Sequence, residues 1–261
     1  MMKLLVKALP MKRDRSRSRI RKTHNVLVYP KVTQTSEVTK KTIQSKVTSS
    51  QINVKVNSLK HDIVRYNYDV VSINDPYLFD SKITEFPCEV RKYFHVSGAI
   101  AGVLIANPIF RVFPIRIDRN LALELDIGNE KITVVSIYCI PSANITTDLN
   151  DLKRLLLEIG DKNVLIFGDF NAKSSIWGPR GTDTRGQHVL ELINNFDIQV
   201  VNNSDSLPTF NGPQGMSWID LMMIRHFDIG RIQNWKIDDR ITMSDYQIMD
   251  FTVTGNNIRE I

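Results

Sequence analysis

The run Val164-Leu165-Ile166-Phe167 constrains this chain more than any other feature, because it is apolar without a break and is closed by Gly168-Asp169-Phe170-Asn171. Such a run reads as a buried strand opening onto a loop. In open α/β sheets ligands bind beyond the carboxyl ends of the strands, so the Asp169 carboxylate and the Asn171 amide would project together into one cleft on a rigid edge. A Gly-Asp pair closing a strand is also ordinary turn chemistry. Two further aspartates weigh against the turn alone. Asp220 in Ser217-Trp218-Ile219-Asp220-Leu221 and Asp245 in Met243-Ser244-Asp245-Tyr246 each sit beside an apolar, strand-like run.

The remaining elements follow from pattern. Residues 70–73, 100–105, 121–125, 132–137 and 164–167 are strand-like runs of β-branched or alternating apolar residues. Residues 149–159 and 188–196 have helical spacing, and short strands are expected at 199–202, 218–223, 232–235 and 247–254. Strands dominate, helices intervene, and no internal repeat is visible.

With 261 residues and 42% hydrophobic content, the chain can bury one substantial core, or a core plus an appendage. No apolar run approaches the ~20 residues of a membrane span, so a soluble protein without a membrane partner is expected. The two cysteines, Cys88 and Cys139, have no CxxC or Cys/His spacing for zinc, and they suit an intracellular, reducing compartment rather than secretion. Charge is unevenly placed. Residues 1–65 hold 16 Lys/Arg against 3 Asp/Glu and the rest 18 against 25, so +13 and −7 sum to the net +6. The stretch 12–22 is too basic and too poor in apolar residues to fold alone, so residues 1–23 read as a disordered basic arm. It would be a solvated tail, a nuclear address, or a DNA- or RNA-binding segment acting by counterion release. Residues 1–10, with Lys3 and Lys7 in a short apolar run, read as an ordinary leader. Farther along, 24–30 reads as a strand, 36–43 as a helix, and 52–57 alternates like an edge strand.

The ordered set Gly-Asp-Phe-Asn-Ala-Lys-Ser-Ser-Ile-Trp-Gly (168–178), Thr182-Asp183-Thr184-Arg185-Gly186, Pro208-Thr209-Phe210, Ser217-Trp218-Ile219-Asp220 and Ser244-Asp245 resembles the endonuclease of insect-type non-LTR retrotransposons. That endonuclease is a branch of the endonuclease/exonuclease/phosphatase superfamily. Asn74-Asp75-Pro76-Tyr77 resembles the family's Glu-Pro-Tyr motif, and Val135-Ser136-Ile137-Tyr138 its strand carrying an active-site tyrosine. The resemblance covers roughly residues 62–254 and implies a four-layer α/β sandwich over residues 62–256, with its first strand missing or altered. Residues 24–61 resemble part of the gag-like protein of the same elements. The competing reading makes Gln51-Ile52-Asn53 the opening Gln-x-Asn strand.

By resemblance the chemistry is hydrolysis of a DNA phosphodiester with Mg²⁺ or Mn²⁺, a hard cation bound by oxygen ligands. Asp75 would be the main ligand, with Asn53 helping if it ends the first strand and Asp245 close by. Asp169 would orient and activate the attacking water, Asn171 would hold the scissile phosphate, and Tyr138 would donate to a phosphate oxygen. Asp220 would orient the imidazole of a terminal Ser-Asp-His motif. Here the sequence departs twice from the family, since the expected Glu is Asp75 and the expected His is Tyr246. A phenol with a pKa of about 10 donates a hydrogen bond but carries no positive charge at neutral pH. A degenerate, weakly active nuclease is therefore expected, with an inactive nucleic-acid-binding relic as the alternative. Two features of the 171–186 loop stay open. Trp177 would face DNA or anchor the loop, and Arg180 and Arg185 would contact phosphates or lie in solvent.

Overall fold

A computed structural model of the chain describes residues 1–8, 49–74, 89–94, 101–118, 120–213, 215–238, 240 and 244–255. Two six-stranded sheets are stacked face to face. In the first, β13 (Ile232–Asp238), β14 (Ile248–Val253), β1 (Met2–Ala8), β2 (Val70–Asn74), β4 (Ala101–Ile105) and β3 (Arg91–Phe94) lie in that order. The second runs β5 (Arg111–Ile117), β6 (Leu121–Asp126), β7 (Lys131–Tyr138), β8 (Val164–Asp169), β12 (Asp220–Arg225) and β9 (Gln199–Val200). A small hairpin, β10 (Phe210–Gly212) with β11 (Gly215–Ser217), stands apart from both.

The facing sides of the sheets form one core. Leu4, Val70, Val103 and Phe251 meet Leu123, Val134, Phe167 and Met222 there, all buried. The outer sides are covered by helices. Leu59 and Ile63 of α1 (Ser49–Tyr66) pack on Leu5, Val71, Ile73 and Leu104. On the other flank, Leu152 and Leu156 of α2 (Ile145–Ile159) and Val189 and Leu192 of α3 (Thr184–Asn195) pack on Val135, Ile137 and Ile166. The result is the four-layer α/β sandwich. Burial on both faces explains why the central strands read as unbroken apolar runs, and all six residues of β8 are buried.

The structure corrects the reading of the first 60 residues. Residues 2–8 are neither leader nor disordered arm. They form β1, parallel to β2 and antiparallel to β14, with Leu4 facing the inter-sheet core and Leu5 facing α1. The expected strand at 52–57 lies within α1, so Asn53 ends no strand and belongs to an outer-layer helix. The rest of the basic arm, residues 9–23, and the elements expected at 24–30 and 36–43 lie outside the described residues. Residues 49–61, counted with the gag-like segment, are part of α1.

Helix ends were harder to read than helix interiors. Helix α2 starts four residues before the expected 149, because Asn144 caps it by accepting from the Thr146 N–H at 3.0 Å. Helix α3 is capped by Asp183, which accepts from the Gly186 N–H at 2.7 Å. Strand β5 carries no clear sequence signal, because it is an edge strand with a mostly exposed pattern and an irregular register around Pro114.

Candidate active site

Register brings the site together. Tyr138 is paired with Asp169 across β7 and β8, and Asp169 with Asp220 across β8 and β12, so three strand ends carry a row of polar side chains. Their common face follows from the two-residue period of a strand. Phe167, two before Asp169, and Met222, two after Asp220, are in the inter-sheet core. Ser136, two before Tyr138, bonds across the gap to Ser72 of β2, with oxygens 2.8 Å apart. All three side chains therefore face the gap between the sheets at the strand ends.

Gly168 is required by this construction. A Cβ there would lie 1.8 Å from the Ile137 carbonyl oxygen, at φ +157°, so only glycine lets β8 approach β7 closely enough to place Asp169 beside Tyr138. The loop then turns at Asn171, which takes the left-handed conformation at φ +46°. Its backbone N–H donates to Asp169 Oδ1 at 2.8 Å, and its side-chain amide donates to the Cys139 carbonyl at 3.1 Å. Arg185 holds this loop from behind. Its guanidinium donates to the carbonyls of Asn171 (2.7 Å), Ala143 (2.8 Å) and Phe170 (3.1 Å), joining the loops after β7 and β8. Arg185 is thus a structural clamp and not a phosphate contact, whereas Arg180 is exposed. Trp177 anchors the loop, fully buried with its indole N–H on the Ala172 carbonyl at 3.2 Å.

From the first sheet, Tyr246 crosses the gap just ahead of β14. Its phenol donates to Asp169 Oδ2 at 3.4 Å, and its ring meets Phe210 edge-on with centroids 5.0 Å apart. Asp245 beside it is exposed, and its carboxylate lies against Gly212 of the β10–β11 hairpin, so its side chain is not in the row with Asp169. Asp75 lies outside the described residues, immediately after the end of β2. No described histidine replaces the missing imidazole; His226 is paired with Asp161 at 3.5 Å.

Burial dominates the electrostatics. Asp169 is raised well above the ordinary carboxylate range by burial and then by the charge of Asp220, with the Asn171 N–H and the Tyr246 phenol pulling it down. Burial pushes Asp220 up to about 7. Neither Asp220 carboxylate oxygen has a hydrogen-bond partner among the described residues. The Thr209 hydroxyl accepts from the backbone N–H groups of Ile219 (3.0 Å) and Asp220 (3.1 Å). Tyr246 is raised by burial and then by Asp169, so its phenol stays neutral and donates.

A raised carboxyl binds more protons folded than unfolded between its two pKa values, so stability falls as pH rises through that window. For Asp220 the window runs from about 4 unfolded to about 7 folded. In chelator, urea denaturation should show Asp220→Asn equal to wild type near pH 4 and more stable near pH 7.5, by at most ~4 kcal/mol at 1.36 kcal/mol per pH unit. Parallel curves for the two proteins across that range would show that Asp220 does not titrate there.

The donors facing the gap are all oxygen or amide groups, the set that suits a hard divalent cation. Among the described residues no three His, Cys, Asp or Glu side chains cluster as a ready cage. Thr209, Arg185 and Asn74 were not anticipated. Thr209 lies within Pro208-Thr209-Phe210 with no role implied for it, Arg185 is expected at a phosphate or in solvent and is at neither, and Asn74 carries no signal apart from its neighbour Asp75.

Comparison with known proteins agrees with this architecture. Residues 132–250 match a family model described as endonuclease-reverse transcriptase. The endonuclease domain of TRAS1, a telomere-specific non-LTR retrotransposon, aligns with a TM-score of 0.70 at 18% identity, over 98% of this chain and 100% of that one. A humanized D. rerio TDP2 aligns at 0.60 and 10% identity, over 97% and 99%. The Neisseria 3′ phosphatase NExo, bound to product DNA hairpin, aligns at 0.58 and 12% identity, over 78% and 96%. No curated protein sequence matches the chain. At these identities the likeness establishes the fold, that of the endonuclease/exonuclease/phosphatase proteins.

Proposed function

We propose that this chain is a divalent-metal-dependent phosphodiesterase that nicks DNA, the endonuclease of a non-LTR retrotransposon, with activity lowered by its departures from the family site. The observation that carries the reading is the Tyr138–Asp169–Asp220 row on adjoining strand ends, with Asn171 fixed beside it. Asp169 would accept the proton of the attacking water, its burial raising the carboxylate's affinity for a proton above the ordinary. Asn171 would hold the scissile phosphate, and the phenols of Tyr138 and Tyr246 would donate to its oxygens as charge develops. Asp75 would hold a Mg²⁺ or Mn²⁺ ion, which when bound neutralises phosphate charge and stabilises the leaving 3′ oxygen, whereas Asp245, expected close by, would join it only by turning away from the β10–β11 hairpin. Exposed Arg180 and the basic stretch 12–22 would add sequence-independent affinity for DNA or RNA, and that stretch would also serve as a nuclear address.

A second reading, an inactive nucleic-acid-binding relic, is favoured by one feature: Asp220 has lost the imidazole it would orient and keeps no partner among the described residues. Supercoiled plasmid separates the two. Mg²⁺-dependent nicking that chelator and Asp169→Ala both abolish supports the nuclease. Plasmid binding without any nicking, unchanged by Asp169→Ala, supports the relic.

A further inference from the structure

Asn74 ends β2 and is fully buried, yet neither its amide nitrogen nor its amide oxygen has a hydrogen-bond partner among the described residues. A buried amide left unpaired at both ends is costly, and native proteins keep such a group where something else satisfies it. Its direction follows from its neighbours. Val70 and Ser72, four and two residues earlier, face the inter-sheet gap, Val70 in the core and Ser72 bonded to Ser136. Asn74 is on that same face. Its position along the gap follows too. Ala101, in register with Asn74, packs on Tyr138, so β2 and β7 run toward the same end of the sandwich. The unpaired amide therefore looks into the space that Tyr138 and Asp169 face from the opposite sheet.

The adjoining strand β1 ends at Ala8, in register with Asn74. We propose that Asn74 is a ligand of this site, giving its amide oxygen to the divalent cation and leaving its NH₂ to face the phosphate. This rests on the reading of the site as a metal-dependent phosphodiesterase. A cation with a phosphate oxygen beside it would supply a partner for each end of the amide.

The test is Mn²⁺ binding to the full chain, measured by water-proton relaxation without DNA, together with urea denaturation. Asn74→Leu should weaken Mn²⁺ binding by ~10-fold or more while leaving the urea midpoint equal to or above that of wild type, since an orphaned polar group has been removed. Asn74→Asp, which keeps the oxygen, should bind Mn²⁺ at least as tightly as wild type and covers the case in which leucine disturbs packing. Equal Mn²⁺ affinity in wild type and folded Asn74→Leu, or lost binding in folded Asn74→Asp, would overturn the assignment and leave the proposed function standing. No Mn²⁺ binding by wild type would overturn both.

Discussion

A chain lacking residues 1–8 is expected to be insoluble or unfolded. β1 is an interior strand, hydrogen-bonded on one edge to β14 over Met2–Lys7 and on the other to β2 over Leu4–Ala8, so its loss leaves two facing rows of unpaired backbone groups. Met2, Leu4 and Leu5 are each at most 1% exposed, and they fill two different hydrophobic layers. Removing one buried leucine typically costs ~2–5 kcal/mol, and three large side chains lost with the ladder exceed the ~5–15 kcal/mol that holds a domain together. Circular dichroism and gel filtration of the truncated protein check this, with Leu5→Ala as the milder variant, folded but less stable. A monomeric, cooperatively melting 9–261 fragment would show that another segment serves as the first strand. For the same reason, nucleic-acid affinity of the basic stretch has to be tested by charge substitution within 12–22, not by deletion from the start.

The double change Tyr246→His with Asp75→Glu is expected to raise plasmid nicking above wild type by more than either change alone. In the present site the Tyr246 phenol bonds to Asp169, the residue proposed to accept the water proton, while the Asp220 carboxylate has no hydrogen-bond partner among the described residues. An imidazole at 246 would give Asp220 its partner, and a buried carboxylate beside it raises the histidine pKa, so the donor becomes cationic. Losing one well-placed donor at such a transition state typically costs ~10²- to 10³-fold. Glu at 75 restores the reach of one methylene, and misplacement on the order of 1 Å can cost ~10²-fold. Two groups acting on one transition state need not contribute additively, so initial rates for wild type, both single variants and the double variant are compared with Mg²⁺. A double variant no faster than wild type would put the principal defect elsewhere, first at the end of β1, where Ala8 stands.

What the sequence made legible were segments whose signal is local. The β8 run with its Gly-Asp-x-Asn ending, and the Asp220 and Tyr138 strands, could be read because strands buried on both faces are unbroken apolar runs. β1 could not be read that way. Its partners lie about 66 and 250 positions away, and Lys3 and Lys7 make it resemble a leader. The structure shows what tolerates Lys3: its ammonium donates to the Tyr66 carbonyl at 3.0 Å and its backbone N–H to Asp69 at 2.7 Å. The 52–57 segment misled for the opposite reason. Ile52, Val54 and Val56 alternate, and β-branched residues favour strands, yet 52, 56, 59 and 63 also follow a helical period, and packing of Leu59 and Ile63 on the sheet decides for the helix. Arg185 was misread because a charge in a polar loop looks solvated until the carbonyls around it are seen.

The antiparallel register that sets Met2 opposite Val253 places the two ends of the fold side by side. Folding of the first sheet is therefore a late event in synthesis. β1 is made before every other strand of the sheet, but its β14 edge stays open until β14 itself is made. Contacts of such long sequence separation slow folding, because loop closure precedes their reward. The same adjacency makes the two ends of the fold a natural splice point, so joining the end of β14 to the start of β1 through a short linker, with new ends opened in an exposed loop, would keep every strand pair and change only the order in which they form.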